Sequence, residues 1–184
     1  MGPDSDERLI ARIAQGDRLA MQALYARHNV RVYRFILRLV RREATAEDLV
    51  SEVFLDVWRQ AGRFQARSEV TTWMLSIARF KALSALRRRV DAELDEEARG
   101  AEADESDDPE TALVAKDRGA VLRQCLAGLS AEHREVLDLA YYQELSVEET
   151  AKVLGIPEGT VKTRMFHARR KLGELVKARG VTWP

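Results

Sequence analysis

Apolar side chains recur through the first ninety residues at spacings of three, four and seven, the period of a helix with one buried side. Met21, Leu24, Tyr25, Val32, Phe35, Ile36, Leu39 and Val40 follow that rule, with Arg27, Arg31, Arg34 and Arg38 in the gaps, and they predict a helix from about residue 19 to 41. Thr45 followed by Asp48 has capping-box spacing, with Asp in place of the usual Glu or Gln, and predicts the start of a second helix. That helix carries Leu49, Val50, Val53, Phe54, Val57 and Trp58 on a broad stripe and stops near Gly62. A third apolar set, Trp73, Met74, Ile77, Ala78 and then Leu83 and Leu86, runs into Arg87-Arg88-Arg89.

From Asp91 to Glu110 the pattern lapses. This segment has hardly any large apolar side chain and includes Asp108-Pro109, so it lacks the burial that offsets the entropy of ordering. It reads as a flexible linker, or else as a polar helix with one packed face. Periodicity returns from Ala112 to Leu126, in a helix ending around Gly128, and Ser130 is placed to cap another bearing Val136, Leu137, Leu139 and Ala140. Ser146 and Glu149 form a full capping box for a short helix with Val147, Thr150, Ala151 and Leu154 on one side. Gly155-Ile156-Pro157 ends it, because glycine accepts a left-handed backbone and the residue before proline is pushed out of the helical region.

The expected architecture is therefore all-α: a helical domain over 1–90, an acidic linker over 91–111 and a second helical domain over 112–184. Charge follows the same division. The formal net charge is zero, yet residues 1–90 carry an excess of seven basic groups, 91–118 an excess of nine acidic ones and 119–184 an excess of two basic ones. With 46% apolar content in 184 residues a real core is within reach. The opening segment has no apolar export core and no run is long enough to span a bilayer, so no membrane insertion and a cytoplasmic location are expected. The single cysteine, Cys125, has no internal partner and reads as a core thiol.

The last helix carries the clearest chemistry. At 100° per residue Val161, Met165, Ala168 and Leu172 share a narrow buried arc. The opposite arc holds Thr160, Thr163, Phe166, His167 and Arg170, flanked by Lys162, Arg164, Arg169 and Lys171. A helix buried on one side and basic on the other, joined by a tight turn to a short helix, has the form of a helix-turn-helix recognition element. Its hydroxyl, imidazole and guanidinium groups suit base edges and its cations suit phosphates, although such a face is often only solvated. Phe166 on the outward arc is expected to pack against a neighbouring element. Upstream, Trp58, Arg59, Arg63, Phe64, Arg67, Trp73, Arg79, Phe80 and Lys81 interleave rings with cations, a composition suited to stacking unpaired bases. Trp58, Phe64 and Trp73 equally suit the core of a three-helix domain, whereas Arg87, Arg88 and Arg89 call for a solvated or anionic surface.

Nothing in the spacing supports catalysis. His28, His133 and His167 lie on separate helices, no glycine-rich phosphate loop occurs, and the acidic string from Asp104 to Asp108 lacks the glycine and terminal glutamate of a calcium loop. No metal site, cofactor or enzymatic activity is expected.

Three segments in order resemble the extracytoplasmic-function, or group 4, sigma factors of the bacterial sigma-70 family. Ala23 to Trp58 and Thr71 to Arg89 are similar to parts of the second conserved region, and Leu145 to Leu172 is similar to the helix-turn-helix of the fourth. The resemblance implies a factor that binds core RNA polymerase through its beta-prime and beta subunits, recognises promoter DNA and assists strand opening. It further implies that Asp48, Leu49, Glu52, Val53, Phe54, Asp56 and Trp58 engage the beta-prime coiled coil, the apolar groups seating the helix and the acids facing basic groups. The downstream promoter element and melting would fall to Arg63, Phe64, Trp73, Arg79, Phe80, Lys81, Arg87 and Arg88. Thr160, Lys162, Thr163, Arg164, His167, Arg170 and Lys171 would read the upstream element, and an anti-sigma factor would hold the two domains closed. The chain departs from the family pattern at Phe80 and Ser84, where asparagine and aspartate are common, so no particular downstream sequence follows. A stand-alone helix-turn-helix regulator and a helical adaptor that binds no DNA are the rival readings. Against the regulator stands the absence of a receiver-like alternation of strands and helices.

Overall fold

The computed structural model describes residues 4–98 and 118–180, which are helical apart from their connections and fall into two compact units. In the first, a short helix α1 (Asp6–Ile13) precedes the elements expected from periodicity. Ser5 caps it by accepting from the Arg8 N–H, and Leu9, Ile10 and Ile13 are buried. Asp17 then caps α2 (Arg18–Val40), its carboxylate accepting from the Leu19 and Ala20 N–H groups at 2.9 and 3.1 Å. The Ala20 bond, followed by Arg12, holds the Asp17 carboxyl below its usual range. His28, buried on α2, lies 2.7 Å from Asp6, and Arg27 pairs with the other Asp6 oxygen at 2.8 Å, so the N-terminal turn is clipped to α2.

Helix α2 ends at Arg41, whose left-handed backbone (φ 56°) directs its N–H to the Leu37 carbonyl. One residue later α3 (Glu43–Gln60) begins. Thr45 is thus inside α3 and does not cap it; the helix starts behind Arg42 with no side-chain cap, because the reversal at Arg41 leaves no longer connection to cap. A 3-10 turn (Ala61–Arg63) leads to α4 (Val70–Ala98). At 29 residues α4 takes in the first eight residues of the expected linker, since Ala92, Glu93 and Leu94 are good enough helix formers to continue it. The rest of the expected linker, and residues 112–117 of the following helix, lie outside the described residues. Leu24, Phe35 and Ile36 of α2, Val53 and Val57 of α3, and Met74, Leu75, Ala78 and Ala82 of α4 are essentially inaccessible and form the core.

The described residues resume with α5 (Arg118–Ala127), in the second unit, on which Cys125 is buried, as expected of a core thiol. Ser130 caps α6 (Ala131–Leu137) through the His133 N–H. The expected apolar stripe then continues through a π-helical turn (Asp138–Tyr142), which buries Leu139 and turns Tyr141 and Tyr142 to solvent. The capping box before α7 (Val147–Leu154) forms in both directions: Ser146 accepts from the Glu149 N–H at 3.2 Å, and Glu149 accepts from the Ser146 N–H at 2.9 Å. Gly155 takes φ +66°, and Pro157 precedes α8 (Glu158–Ala178). Val161, Ala168 and Val176 are buried on α8, with Met165 and Leu172 half-buried beside them, close to the arc expected from the helical wheel.

Candidate functional site

Three surfaces carry the residues singled out from the sequence. On α3, Leu49, Val53 and Phe54 are buried, so they seat the helix in this unit's own core and are not available to a partner. The ring of Phe54 meets Tyr25 of α2 at 4.7 Å between centroids. What α3 offers outward is Asp48, Ser51, Glu52, Leu55 and Arg59, with Trp58 and Asp56 half-buried. Leu55 is the exposed apolar group that periodicity missed; it lies one position past the stripe and carries no signal in the sequence beyond its size.

The second surface follows the 3-10 turn and α4. Phe64 and Trp73 are half-buried and pack at 5.0 Å with their planes tilted by 44°, while Phe80 stands 67% exposed. Arg63 is exposed and Arg79 half-buried. Arg87 and Arg88 are exposed, and each donates to Ser84, to its hydroxyl and its carbonyl respectively. Phe80 and Arg87, seven positions apart, share a face. Lys81 behaves differently. Its ammonium donates to Glu52 at 3.1 Å and lies 2.9 Å from Asp56, joining α4 to α3. Desolvation lowers its pKa, but the bonds to Asp56 and Glu52 outweigh that and leave it above its ordinary value.

The third surface is the outer side of α8. Lys162, Thr163, Phe166, His167, Arg170 and Lys171 are exposed, and Thr160 and Arg164 half-buried. Phe166 is 62% exposed, so it does not pack on a neighbouring element; its contact is an edge-on one with His167 at 5.4 Å. Thr163 donates its hydroxyl to the Gly159 carbonyl. Lys162 pairs with Glu158, and Arg170 and Lys171 pair with Glu174, at 3.5 to 4.0 Å. Such solvent-exposed pairs contribute about 0–1 kcal/mol and yield readily to a phosphate. Arg164 is tied more closely, to Glu132 of α6 at 3.3 Å. Behind this face the unit has an apolar groove of about 830 Å³ lined by Leu122, Leu126, Tyr141, Tyr142, Leu172 and Val176 and bordered by Arg169 and Lys177. The sequence reading did not single it out; the Tyr141-Tyr142 doublet was its one visible sign.

The sigma-70 region 2 family matches residues 24–91 and the sigma-70, region 4 family residues 120–172. The chain belongs to the sigma-70 family, in its extracytoplasmic-function group. The ECF RNA polymerase sigma factor SigL of Mycobacterium tuberculosis is 33% identical over 178 residues, 94% of this chain and 98% of that one. Among solved structures, that of CnrH in complex with the cytosolic domain of CnrY is similar with a TM-score of 0.69 and 28% identity, over 95% of this chain and 99% of the other. The sigma factor RpoE of Bartonella quintana, in complex with the anti-sigma factor NepR, gives a TM-score of 0.68 and 27% identity over 83% and 94%. As a sigma factor the protein binds RNA polymerase and promoter DNA and is not catalytic, which removes the stand-alone regulator and the adaptor. No helix among the described residues is long and apolar enough to cross a membrane.

Proposed function

We propose that this sigma factor divides initiation among the three surfaces. The outward side of α3, Asp48, Glu52 and Leu55 with the flank of Trp58, docks on the beta-prime coiled coil. Phe80, together with Phe64, Trp73, Arg63, Arg79, Arg87 and Arg88, captures unpaired bases of the downstream element. Helices α7 and α8 act as a helix-turn-helix, and Thr160, Lys162, Thr163, Arg164, His167, Arg170 and Lys171 read the upstream element in the major groove. On this reading the domains span 1–90 and 112–184 with the acidic segment 91–111 as the linker between them, and the factor works in the cytoplasm where polymerase is.

The observation that carries this reading is the division of α8, with Val161 and Ala168 fully buried on one side and Thr163, His167 and Arg170 exposed on the other. A helix so divided is anchored by its own fold and free to enter a groove. The apolar groove suits an apolar helix from a protein partner, the polymerase beta subunit or an anti-sigma factor of the kind bound by the Bartonella quintana relative.

Strand opening on this account needs no covalent step: polymerase supplies the frame, and each captured base contributes about 1–3 kcal/mol by stacking. The test is initiation. Purified factor added to core polymerase is expected to start transcripts from a promoter selected out of random-sequence DNA, and Thr163→Ala/His167→Ala is expected to lose that selection while keeping core binding. Selection unchanged by the double substitution overturns the α8 assignment.

A further inference from the structure

We propose that Lys81 is a positioning residue that fastens the strand-capturing helix α4 to α3 through Asp56 and Glu52, and that it does not itself hold DNA. The inference rests on the assignment of α3 to polymerase and of α4 to the unpaired strand, and deepens it.

Two consecutive residues of α4, about 100° apart around the helix, differ sharply in exposure: Phe80 is 67% exposed, whereas the Lys81 side chain is 17% exposed. The Lys81 ammonium has three protons to donate, and two carboxylates one helical turn apart on α3 stand within 3.1 Å of it. Asp56, the closer of them, is itself only 25% exposed. For Lys81 to reach a phosphate it must give up both charge-assisted bonds and leave Asp56 unpaired at a partly desolvated position, which opposes the move. The cation that a strand needs is present anyway in Arg87 and Arg88, both exposed.

The packing gives the bridge something to do. Met74 and Leu75 set the rotation of α4 further up the helix, but around the bridge it is buried through Ala78 and Ala82, side chains too small to hold the rotation there alone. A two-point polar tie at Lys81 fixes that rotation, and with it the direction in which the Phe80 ring projects. The acidic face that polymerase grips and the ring that a base would meet are therefore joined through one side chain.

The experiment uses holoenzyme formed at saturating factor and a fork-junction template, with an unpaired non-template strand, built on a promoter that the wild type selects. Retention of the fork is measured against salt concentration, and core affinity separately, for Lys81→Met, Asp56→Asn, the double variant and Lys81→Arg. Lys81→Met is expected to weaken retention about fivefold while leaving core affinity within about twofold, and Asp56→Asn to act in the same direction. The double variant should be no worse than Lys81→Met alone, and Lys81→Arg, which keeps the pair, should approach the wild type. The salt slope of retention should not change in Lys81→Met, because no phosphate contact has gone.

A slope lower by about one, or tighter retention in Asp56→Asn, overturns the proposal and gives Lys81 to DNA. Wild-type retention in Lys81→Met overturns it as well, and core affinity falling in parallel with retention means a loosened fold and no positioning role. A wild type that fails to retain the fork, or retention that survives Phe80→Ala, sinks the underlying site reading; an effect missing at Lys81 alone sinks only this inference.

Discussion

The surfaces proposed to meet DNA in the two units are made of different materials. On α4 the prominent group is a ring, Phe80, and the cation next to it is engaged by two carboxylates. On α8 the prominent groups are hydroxyl, imidazole and several cations, most of them in weak surface pairs that a phosphate displaces. An unpaired strand offers base faces and a duplex offers phosphates and base edges, so the contrast matches the two states of DNA that an initiating polymerase must hold. It also separates the prominent groups by their response to salt: the stacking of Phe80 is insensitive to it, and counterion release by the cations of α8 is not.

The contrast can be broken most sharply at Phe80. Phe80→Ala should cost about 1–3 kcal/mol in holding an unpaired strand and leave the salt slope of that binding unaltered, as read by fork-junction titrations at several ionic strengths. A slope that moved with the ring would make the α4 surface electrostatic like the other. Next in size is Arg164→Ala, expected to weaken duplex binding about tenfold with little loss of core polymerase binding, measured by the affinity of the C-terminal surface for upstream duplex in the full chain. Because Glu132 engages Arg164 in the same way that Asp56 engages Lys81, an unchanged affinity would make both cations internal braces and erase the difference between the units.

The smallest effect concerns pH. Asp17 has a folded pKa below its unfolded value of 3.8, chiefly through the Ala20 N–H and then Arg12. Its contribution to stability is therefore fully present above that value and is lost as pH falls through the folded pKa. Amide exchange at the start of α2 should accelerate in that acid window while α8 is unaffected.

Much of this was legible in the sequence, and the failures share a cause. The long helices, the capping box at Ser146 and the two-sided character of the last helix followed from period and cap chemistry alone. The region assignments came instead from the resemblance to the sigma-70 family, which the matches over 24–91 and 120–172 bear out. Periodicity reveals that Leu49, Val53 and Phe54 want burial, but it does not distinguish burial in the chain's own core from burial against a partner. In a small unit with few helices the core takes those residues first, and their neighbours Glu52 and Leu55 are what stays exposed. Phe166 shows the converse error: a large ring in a polar arc was read as packed, and it is exposed. Helix α1 escaped notice because eight residues hold barely two turns of pattern, although Ser5 and the spacing of Leu9, Ile10 and Ile13 mark it. Pairs such as Lys81 with Asp56 join residues 25 positions apart, a distance at which single-sequence patterning is silent.

Arg41 has a mechanical consequence. A bulky L-residue at φ 56° carries about 1–2 kcal/mol of strain that glycine would avoid, and the corner it makes is two residues long. So short a corner has no slack. A pull on α3 is passed to α2 through this taut corner as well as across their packed face, where Phe54 meets Tyr25, so the two helices are displaced as one body.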